Sequence, residues 1–194
     1  MLHLSIPRTR RLFYVNFNKH FHLSGKHAFL SASKYHWLNY DEEKLEAVFR
    51  RSVAAQRGTR LHELAAELIR LQVKLPRTSK TLDRFVNDAL GFKMEPEVLL
   101  YYSDNAFGTA DAISFRKNTL RIHDLKTGNT PASFNQLMIY AGLFCLEYNV
   151  KPGEINIELR IYQSNEVLVL NPEPVEVVQV ISKIISADKL IEQI

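Results

Sequence analysis

The chain has 194 residues, of which 46% are hydrophobic, and it carries a formal net charge of +4. That length and composition are enough for one good hydrophobic core, or for one core with a small appendage. The single cysteine, Cys145, excludes an internal disulfide, a four-cysteine zinc site and a four-cysteine iron–sulfur cluster. The sequence contains no run of about eighteen apolar residues, so no transmembrane helix is predicted.

The positive charge is concentrated in the first part of the chain. Residues 1–80 hold 15 lysines and arginines against 6 acidic residues, whereas the remainder holds 10 against 15. A basic N-terminal part is compatible with a polyanionic partner such as nucleic acid, although a solvated helix face gives the same composition. Arginines also stand where a signal peptide needs its apolar stretch, so we expect an intracellular, cytoplasmic protein.

The first elements are predicted to be helical. Residues 1–30 form a basic, aromatic-rich segment, and we expect a single domain over residues 31–194. Asp41 is predicted to cap a helix whose first turn contains two glutamates, which the helix dipole favours there. Gly58 is expected to end that helix, and Thr59 to cap a second helix with one apolar face. A loop and a short helix are predicted next.

Strand-like patterns begin at about residue 95. Three such runs, "EPEVLLYY", "FGTADAISF" and "TLRIHDLK", are separated by the turn sequences "SDN" and "RKN". Thr130 and Pro131 are predicted to cap the next helix, which is followed by two strands, "INIELRIY" and "EVLVL", and a last amphipathic helix. The predicted order is helix, three strands, helix, two strands and helix, in a mixed α/β domain.

The third strand-like run ends in charged side chains. In "LRIHDLK", residues 120–126, apolar and polar side chains alternate as in a half-buried strand. Asp124 and Lys126 continue the apolar face, because side chains at i and i+2 share a side. A carboxylate and an ammonium group are costly there unless a site needs both. The alternative is an ordinary surface ion pair beyond the end of the strand.

Asp111 lies on the preceding strand-like run. If the turn "RKN" pairs the two strands antiparallel, Asp111 and Asp124 are nearly opposite each other. Two adjacent carboxylates repel each other unless a cation lies between them, and hard divalent cations prefer such oxygen ligands. Lys126 could then help to orient or deprotonate a metal-activated water. This constellation suits hydrolysis of a phosphodiester bond.

Further polar side chains accompany the two aspartates. His62 lies in the first turn of the second predicted helix, and Glu97 at the start of the first strand offers a third carboxylate. Gln136 and Tyr140 lie one turn apart on one face of the helix that follows the three strands. The structural alternatives are a core or boundary histidine, a strand-end surface glutamate, and a boundary helix with an amphipathic tyrosine.

Four short motifs therefore follow one another along the chain: Gly-x-x-x-His (Gly58, His62), Gly-x-x-Asp (Gly108, Asp111), Asp-x-Lys-Thr-Gly (Asp124, Lys126, Thr127, Gly128) and Gln-x-x-x-Tyr (Gln136, Tyr140). Over about residues 30–165 the chain resembles the PD-(D/E)XK nuclease superfamily. It is similar to the RecB-like exonuclease branch, which includes phage recombination nucleases, CRISPR-associated exonucleases and the mitochondrial genome maintenance exonuclease. The resemblance implies a restriction-endonuclease-like core, with a central mixed sheet flanked by helices in the order α-β-β-β-α-β-β-α.

The resemblance also implies a metal site. One or two ions of Mg²⁺ or Mn²⁺ would be bound by Asp111, Asp124 and the backbone carbonyl of Leu125. His62 would ligate or support the metal, and Glu97 is a further candidate ligand. The two aspartates and the histidine are therefore implied catalytic residues as well as metal ligands.

The remaining motif residues are implied to act on water and DNA. Lys126 would act on the attacking water as the fourth catalytic residue, while Gln136, Tyr140 and Thr127 would bind DNA. Many relatives hold an iron–sulfur cluster through four cysteines, which a chain with one cysteine cannot do. The resemblance thus implies a metal-dependent deoxyribonuclease without such a cluster.

The predicted activity is that of an exonuclease on DNA ends, single strands or flaps, in phage-type recombination, repair or replication. Its location would be the host cytoplasm if the protein is phage-encoded. The alternatives are a non-catalytic DNA- or protein-binding module on the same fold and a structure-specific endonuclease. Besides DNA, another protein or a second copy of the chain is a candidate partner, and no membrane is expected to be one.

Overall fold

The computed structural model describes residues 29–30 and 32–193. Most of the predicted basic, aromatic segment, residues 1–28, therefore lies outside the described residues. The chain falls into two compact units, residues 1–49 and residues 50–194. All of the candidate site residues belong to the second unit.

The first unit contains, among its described residues, a 3-10 helix, Ala32–Asn39, and the start of helix α1, Glu42–Arg70. Asp41 caps α1, since its Oδ1 accepts a hydrogen bond from the Lys44 backbone N–H at 2.8 Å. The two glutamates that open the helix lie in its first turn, where the helix dipole favours negative charge. The predicted helix start is therefore confirmed.

The predicted helix break at Gly58 is wrong. Helix α1 continues through Gly58, which is buried. Thr59 is not a cap, because its hydroxyl donates to the carbonyl of Ala55 one turn earlier. Glycine inside a helix costs about 1 kcal/mol relative to alanine, so it needs a reason. Packing supplies that reason: a Cβ at Gly58 would lie only 2.7 Å from Oγ1 of Thr127.

The second unit is built on a five-stranded sheet flanked by helices. Its strands are β1 (Glu95–Ser103), β2 (Ala106–Arg116), β3 (Thr119–Leu125), β4 (Asn156–Gln163) and β5 (Glu166–Leu170). Its other helices are α2 (Thr81–Gly91), α3 (Asn135–Glu147), α4 (Pro174–Ile191) and a short 3-10 helix, Pro152–Glu154. The predicted mixed α/β class with a central mixed sheet is confirmed. In the part of the chain that the structure describes, no helix is long and apolar enough to cross a membrane.

The strands lie in the sheet in chain order, β1 to β5. Only β3 and β4 are parallel, and α3 forms the crossover that a parallel pair requires. Lys117 and Asn118 make the turn between β2 and β3, and both have positive φ, as a two-residue hairpin turn needs. The register places Ala112 opposite His123, so the next position on the two strands holds the two motif aspartates. Asp111 and Asp124 therefore occupy opposite positions of the two strands, in agreement with the prediction that they are nearly opposite.

Helix α3 begins at Asn135, and the predicted start at Thr130 and Pro131 is wrong. The cause is a side chain at the end of β4. Gln163 Nε2 donates to the carbonyl oxygen of Gly128 at 2.6 Å and to that of Thr130 at 2.8 Å. These hydrogen bonds hold the loop before α3 against β4, so its backbone is not available for a helical turn.

Hydrophobic side chains form two clusters in the second unit. The larger cluster joins the sheet to α3 and α4 and includes Leu100, Leu120, Ile122, Leu137, Leu159 and Val177. The smaller one joins the sheet to α1 and α2 and includes Ile69, Phe85, Val86, Leu125 and Tyr162. Full burial of side chains of this size stabilises a fold by about 1.5–3 kcal/mol each. Strand β3 contributes to both clusters, so its end is held firmly in place.

The interior of β3 also contains a histidine. His123 is fully buried, although alternation predicts a half-buried strand with this residue on its polar face. Its Nδ1 lies 3.2 Å from the hydroxyl of Tyr162, which donates to Asp88 at 2.7 Å. Burial, together with the positive charges of Arg160 and Arg121, lowers the pKa of His123 to about 3. The imidazole is therefore neutral at ordinary pH.

Close packing of α3 on α4 gives a first prediction. A Cβ at Gly142 would lie 3.3 Å from Ile184 Cδ1 and 3.4 Å from side-chain atoms of Ile181 and Val180. We expect Gly142→Leu to lower the free energy of unfolding by about 1–3 kcal/mol, because the added side chain cannot be accommodated. Urea unfolding measures the effect. Gly91→Leu is the control, since a Cβ there meets no atom within 4 Å; equal stability of the two variants would contradict this packing.

Candidate metal centre

Three side chains with metal-binding atoms converge in the second unit. His62 comes from α1, Glu97 from β1 and Asp111 from β2, and one ligand atom of each lies within 4.8 Å of the other two. A ring nitrogen and two carboxylate oxygens form a donor set that fits a divalent cation. These three residues, called the metal group below, could therefore hold a metal ion.

Asp111 connects the metal group to the neighbouring strand. Its Oδ2 accepts a hydrogen bond from the Leu125 backbone N–H at 2.8 Å and lies 3.2 Å from Nδ1 of His62. The hydrogen bond with Asp111 raises the pKa of His62, although burial of the ring opposes this effect. The charges of Asp111, Asp124 and Glu97 raise the pKa of His62 further. The carboxylates thus favour a positive charge at this position.

Glu97 is held in an uncommon backbone conformation. Its φ is +54°, in the left-handed region, which costs a non-glycine residue on the order of 1–3 kcal/mol. The regular pairing of β1 with β2 is interrupted at Glu97 and Asp111, which occupy opposite positions. Loss of solvent around the carboxyl group raises the pKa of Glu97, and the Asp111 carboxylate adds to the rise. A strained residue among potential ligands is typical of a functional site.

Asp124 is buried beside the metal group and is paired with Lys126. Lys126 Nζ donates to Asp124 Oδ1 at 3.1 Å. The same nitrogen lies 3.0 Å from Oδ2 but outside hydrogen-bonding geometry, so Oδ2 receives no hydrogen bond from the described residues. Burial raises the pKa of Asp124 and the Asp111 carboxylate raises it further, while Lys126 lowers it. Oδ2 is therefore an acceptor that a cation could use.

Hydrogen bonds connect Lys126 to helix α3. Its Nζ also donates to Gln136 Oε1 at 2.7 Å, and Gln136 Nε2 donates to the Tyr140 hydroxyl at 3.0 Å. Gln136 and Tyr140 thus share a helix face, as their spacing predicts; Gln136 holds the lysine, and Tyr140 holds Gln136. Burial raises the pKa of Tyr140, so its hydroxyl keeps its proton at neutral pH.

The predicted site residues fall into two adjacent sets. The structure brings His62, Glu97 and Asp111 together as potential ligands, whereas Asp124 lies beside them as the partner of Lys126. Glu97 belongs to the metal group, and its left-handed backbone sets it apart from an ordinary strand-end glutamate. The predicted ligand role of the Leu125 carbonyl and the predicted DNA contact of Thr127 stay predictions.

Two motif glycines have a structural role that their sequence motifs did not predict. Gly58 lies one turn before His62 in α1 and allows the loop after β3 to approach through Thr127. Gly108 in β2 makes room for Tyr140, because a Cβ there would lie 2.9 Å from Cε1 of that ring. A glycine inside a strongly helical or strand-like pattern was the available signal of such close approach.

No protein-family model, curated protein or solved structure matches the chain. Membership of the nuclease superfamily therefore stays a prediction from the four motifs.

The left-handed backbone of Glu97 gives a second prediction. We expect Glu97→Gly to be more stable than Glu97→Ala by about 1 kcal/mol without metal, because only glycine adopts this φ at no steric cost. In a regular strand the order is reversed, since glycine is the less stable residue there. Chemical denaturation in the presence of a chelator measures the difference. An alanine variant as stable as the glycine variant would contradict strain at this position.

Proposed function

We propose that the protein is a metal-dependent nuclease that hydrolyses phosphodiester bonds of DNA at ends or in single strands. The observation that carries this proposal is the metal group beside a buried acid–lysine pair, Asp124 and Lys126. A bound Mg²⁺ or Mn²⁺ would supply a Lewis acid for the scissile phosphate and a water of lowered pKa as the nucleophile. The four sequence motifs support the same function.

The residues around the ion have distinct tasks in this proposal. Asp111 and Glu97 would hold the metal through carboxylate oxygens, and His62 through a ring nitrogen. The Leu125 backbone N–H orients the Asp111 carboxylate by its hydrogen bond to Oδ2, as partners of metal ligands commonly do. Asp124 Oδ2 accepts no hydrogen bond from the described residues, although Lys126 Nζ lies 3.0 Å away, and it would supply a further oxygen next to the metal group.

Lys126 acts on the attacking water or on the phosphate. An ammonium group has three N–H donors, and in this site one is given to Asp124 and one to Gln136. The third donor remains for an oxygen atom of the substrate or the nucleophile. Because the other two bonds fix the position of Nζ, this donor is preorganised to stabilise the negative charge that develops in the transition state.

Tyr140 and Gln136 position the DNA backbone. The Tyr140 hydroxyl accepts a hydrogen bond from Gln136, so its own hydrogen is free to donate to a phosphate oxygen. Gly108 lets this ring lie against β2, three residues from Asp111. A phosphate bound by Tyr140 would therefore be close to both the lysine and the metal group.

A cleavage assay tests the proposal. We expect the purified protein to release nucleotides from end-labelled linear DNA with Mg²⁺ or Mn²⁺, and none with a chelator. Asp111→Asn and Lys126→Met should each lower the rate by about 100-fold or more, because each removes charge stabilisation in the transition state. Lys151→Met is the control, since Lys151 is an exposed lysine that forms an ion pair with Glu154 at 3.5 Å.

The DNA substrates separate the alternatives. Cleavage of covalently closed circles would identify an endonuclease, whereas resistance of circles and digestion of linear strands would identify an exonuclease. Tight DNA binding without cleavage under any metal condition would favour a binding module. A wild-type rate for Lys126→Met would contradict the catalytic role of the lysine.

A further inference from the structure

Two exposed aromatic residues occupy paired positions of the β1–β2 hairpin. Tyr101 of β1 is in register with Phe107 of β2, and the two residues are 43% and 58% exposed. Leu99, which precedes Tyr101 on the same side of β1, is 54% exposed. Contiguous exposed apolar patches mark binding sites on proteins, whereas exposed apolar residues that stand singly are ordinary. We call these three side chains the hairpin surface.

Strand alternation directs the hairpin surface away from α3, although Phe107 also borders a cavity that Ile139 and Leu143 of that helix line. Gly108 faces α3, because a Cβ there would meet the ring of Tyr140, and Leu100 is buried in the cluster under that helix. Side chains alternate along a strand, so Phe107 and Tyr101 are directed to the other face. On that face α2 packs on β3 and β4 rather than on the hairpin.

The same two strands carry the metal group. Glu97 precedes Tyr101 by four residues on β1, and Asp111 follows Phe107 by four residues on β2. At about 3.3 Å per residue, the aromatic pair lies about 13 Å from the two carboxylates along the strands. A nucleic-acid strand rises about 3.4 Å per nucleotide when stacked and roughly twice that when extended. The distance therefore corresponds to about two to four nucleotides.

We propose that Tyr101 and Phe107 stack on unpaired bases of a DNA strand whose scissile phosphate lies at the metal group. This inference rests on the proposed nuclease function and makes single-stranded ends its substrate. Every base has a face that can stack on an aromatic ring, so the contact tolerates any sequence. The faces of paired bases are covered by their neighbours in a duplex, so the same surface discriminates against double-stranded DNA.

Fluorescence anisotropy with a labelled oligothymidylate, in Ca²⁺ to limit cleavage, measures the contact. We expect Phe107→Ala and Tyr101→Ala each to weaken binding about five- to 100-fold, within the usual range for loss of one stacked base. Phe107→Trp and Tyr101→Phe should retain affinity because they keep the aromatic ring. Leu168→Ala on strand β5 is the matched control, since Leu168 is also exposed, at 42%. This variant should bind the single strand as tightly as the wild type does. All variants should bind a blunt-ended duplex with wild-type affinity.

An oligonucleotide with a single abasic nucleotide locates the stacked base. Moved along the strand, the abasic nucleotide should weaken binding by the wild type at one or two adjacent positions, and Phe107→Ala should not respond at those positions. A flat response for the wild type, or wild-type affinity of Phe107→Ala and Tyr101→Ala for single strands, would overturn the inference. An equal loss of affinity for the blunt-ended duplex in these two variants would overturn the inference as well.

The outcome is distinguishable from failure of the proposed function. Binding of unpaired DNA through Phe107 by a protein that cleaves nothing would support this inference and contradict the nuclease activity. Metal-dependent cleavage with an unchanged KM for single strands in Phe107→Ala and Tyr101→Ala would support the nuclease activity and contradict the stacking of bases on these two residues. Both measurements use the full chain, and the conservative aromatic variants show whether a loss comes from misfolding.

Discussion

Crowding of the three carboxylates of Asp111, Glu97 and Asp124 is the constraint on which the whole site depends. Burial raises the pKa of Asp124, and the nearby Asp111 carboxylate adds to the rise, as it does for Glu97. The structure balances this repulsion with the positive charge of Lys126 and the raised pKa of His62. A divalent cation would balance it more completely, because it replaces repulsion with coordination. The same repulsion that works against folding thus favours metal binding.

The charged residues of the site lie on separate strands and helices. A tight hairpin turn between β2 and β3 sets Asp111 opposite Asp124, and an irregular position in β1 adds Glu97. Helix α1 brings His62, and α3 fixes the lysine through hydrogen bonds. Two glycines without side-chain bulk let α1 and α3 approach closely enough for these contacts. The rigid sheet therefore positions the ligands, while the helices complete their surroundings.

Local patterns were sufficient to predict the five strands and the opposition of Asp111 and Asp124, because a two-residue turn determines the register of a hairpin. They were not sufficient at Gly58, where packing against a distant loop outweighs the low helix propensity of glycine. The start of α3 depends on Gln163, far along the chain, which no local signal reveals. Nor does any local pattern indicate the left-handed backbone of Glu97.

The metal centre can be tested directly by pulsed electron paramagnetic resonance of Mn²⁺ bound to the purified protein. This method detects nitrogen nuclei bonded to the ion and separates them from oxygen ligands. We expect the signal of one histidine nitrogen in the wild type, its loss in His62→Gln, and its retention in His36→Gln. An oxygen-only spectrum for the wild type, or a nitrogen signal that survives in His62→Gln, would contradict a metal site built on His62, Glu97 and Asp111.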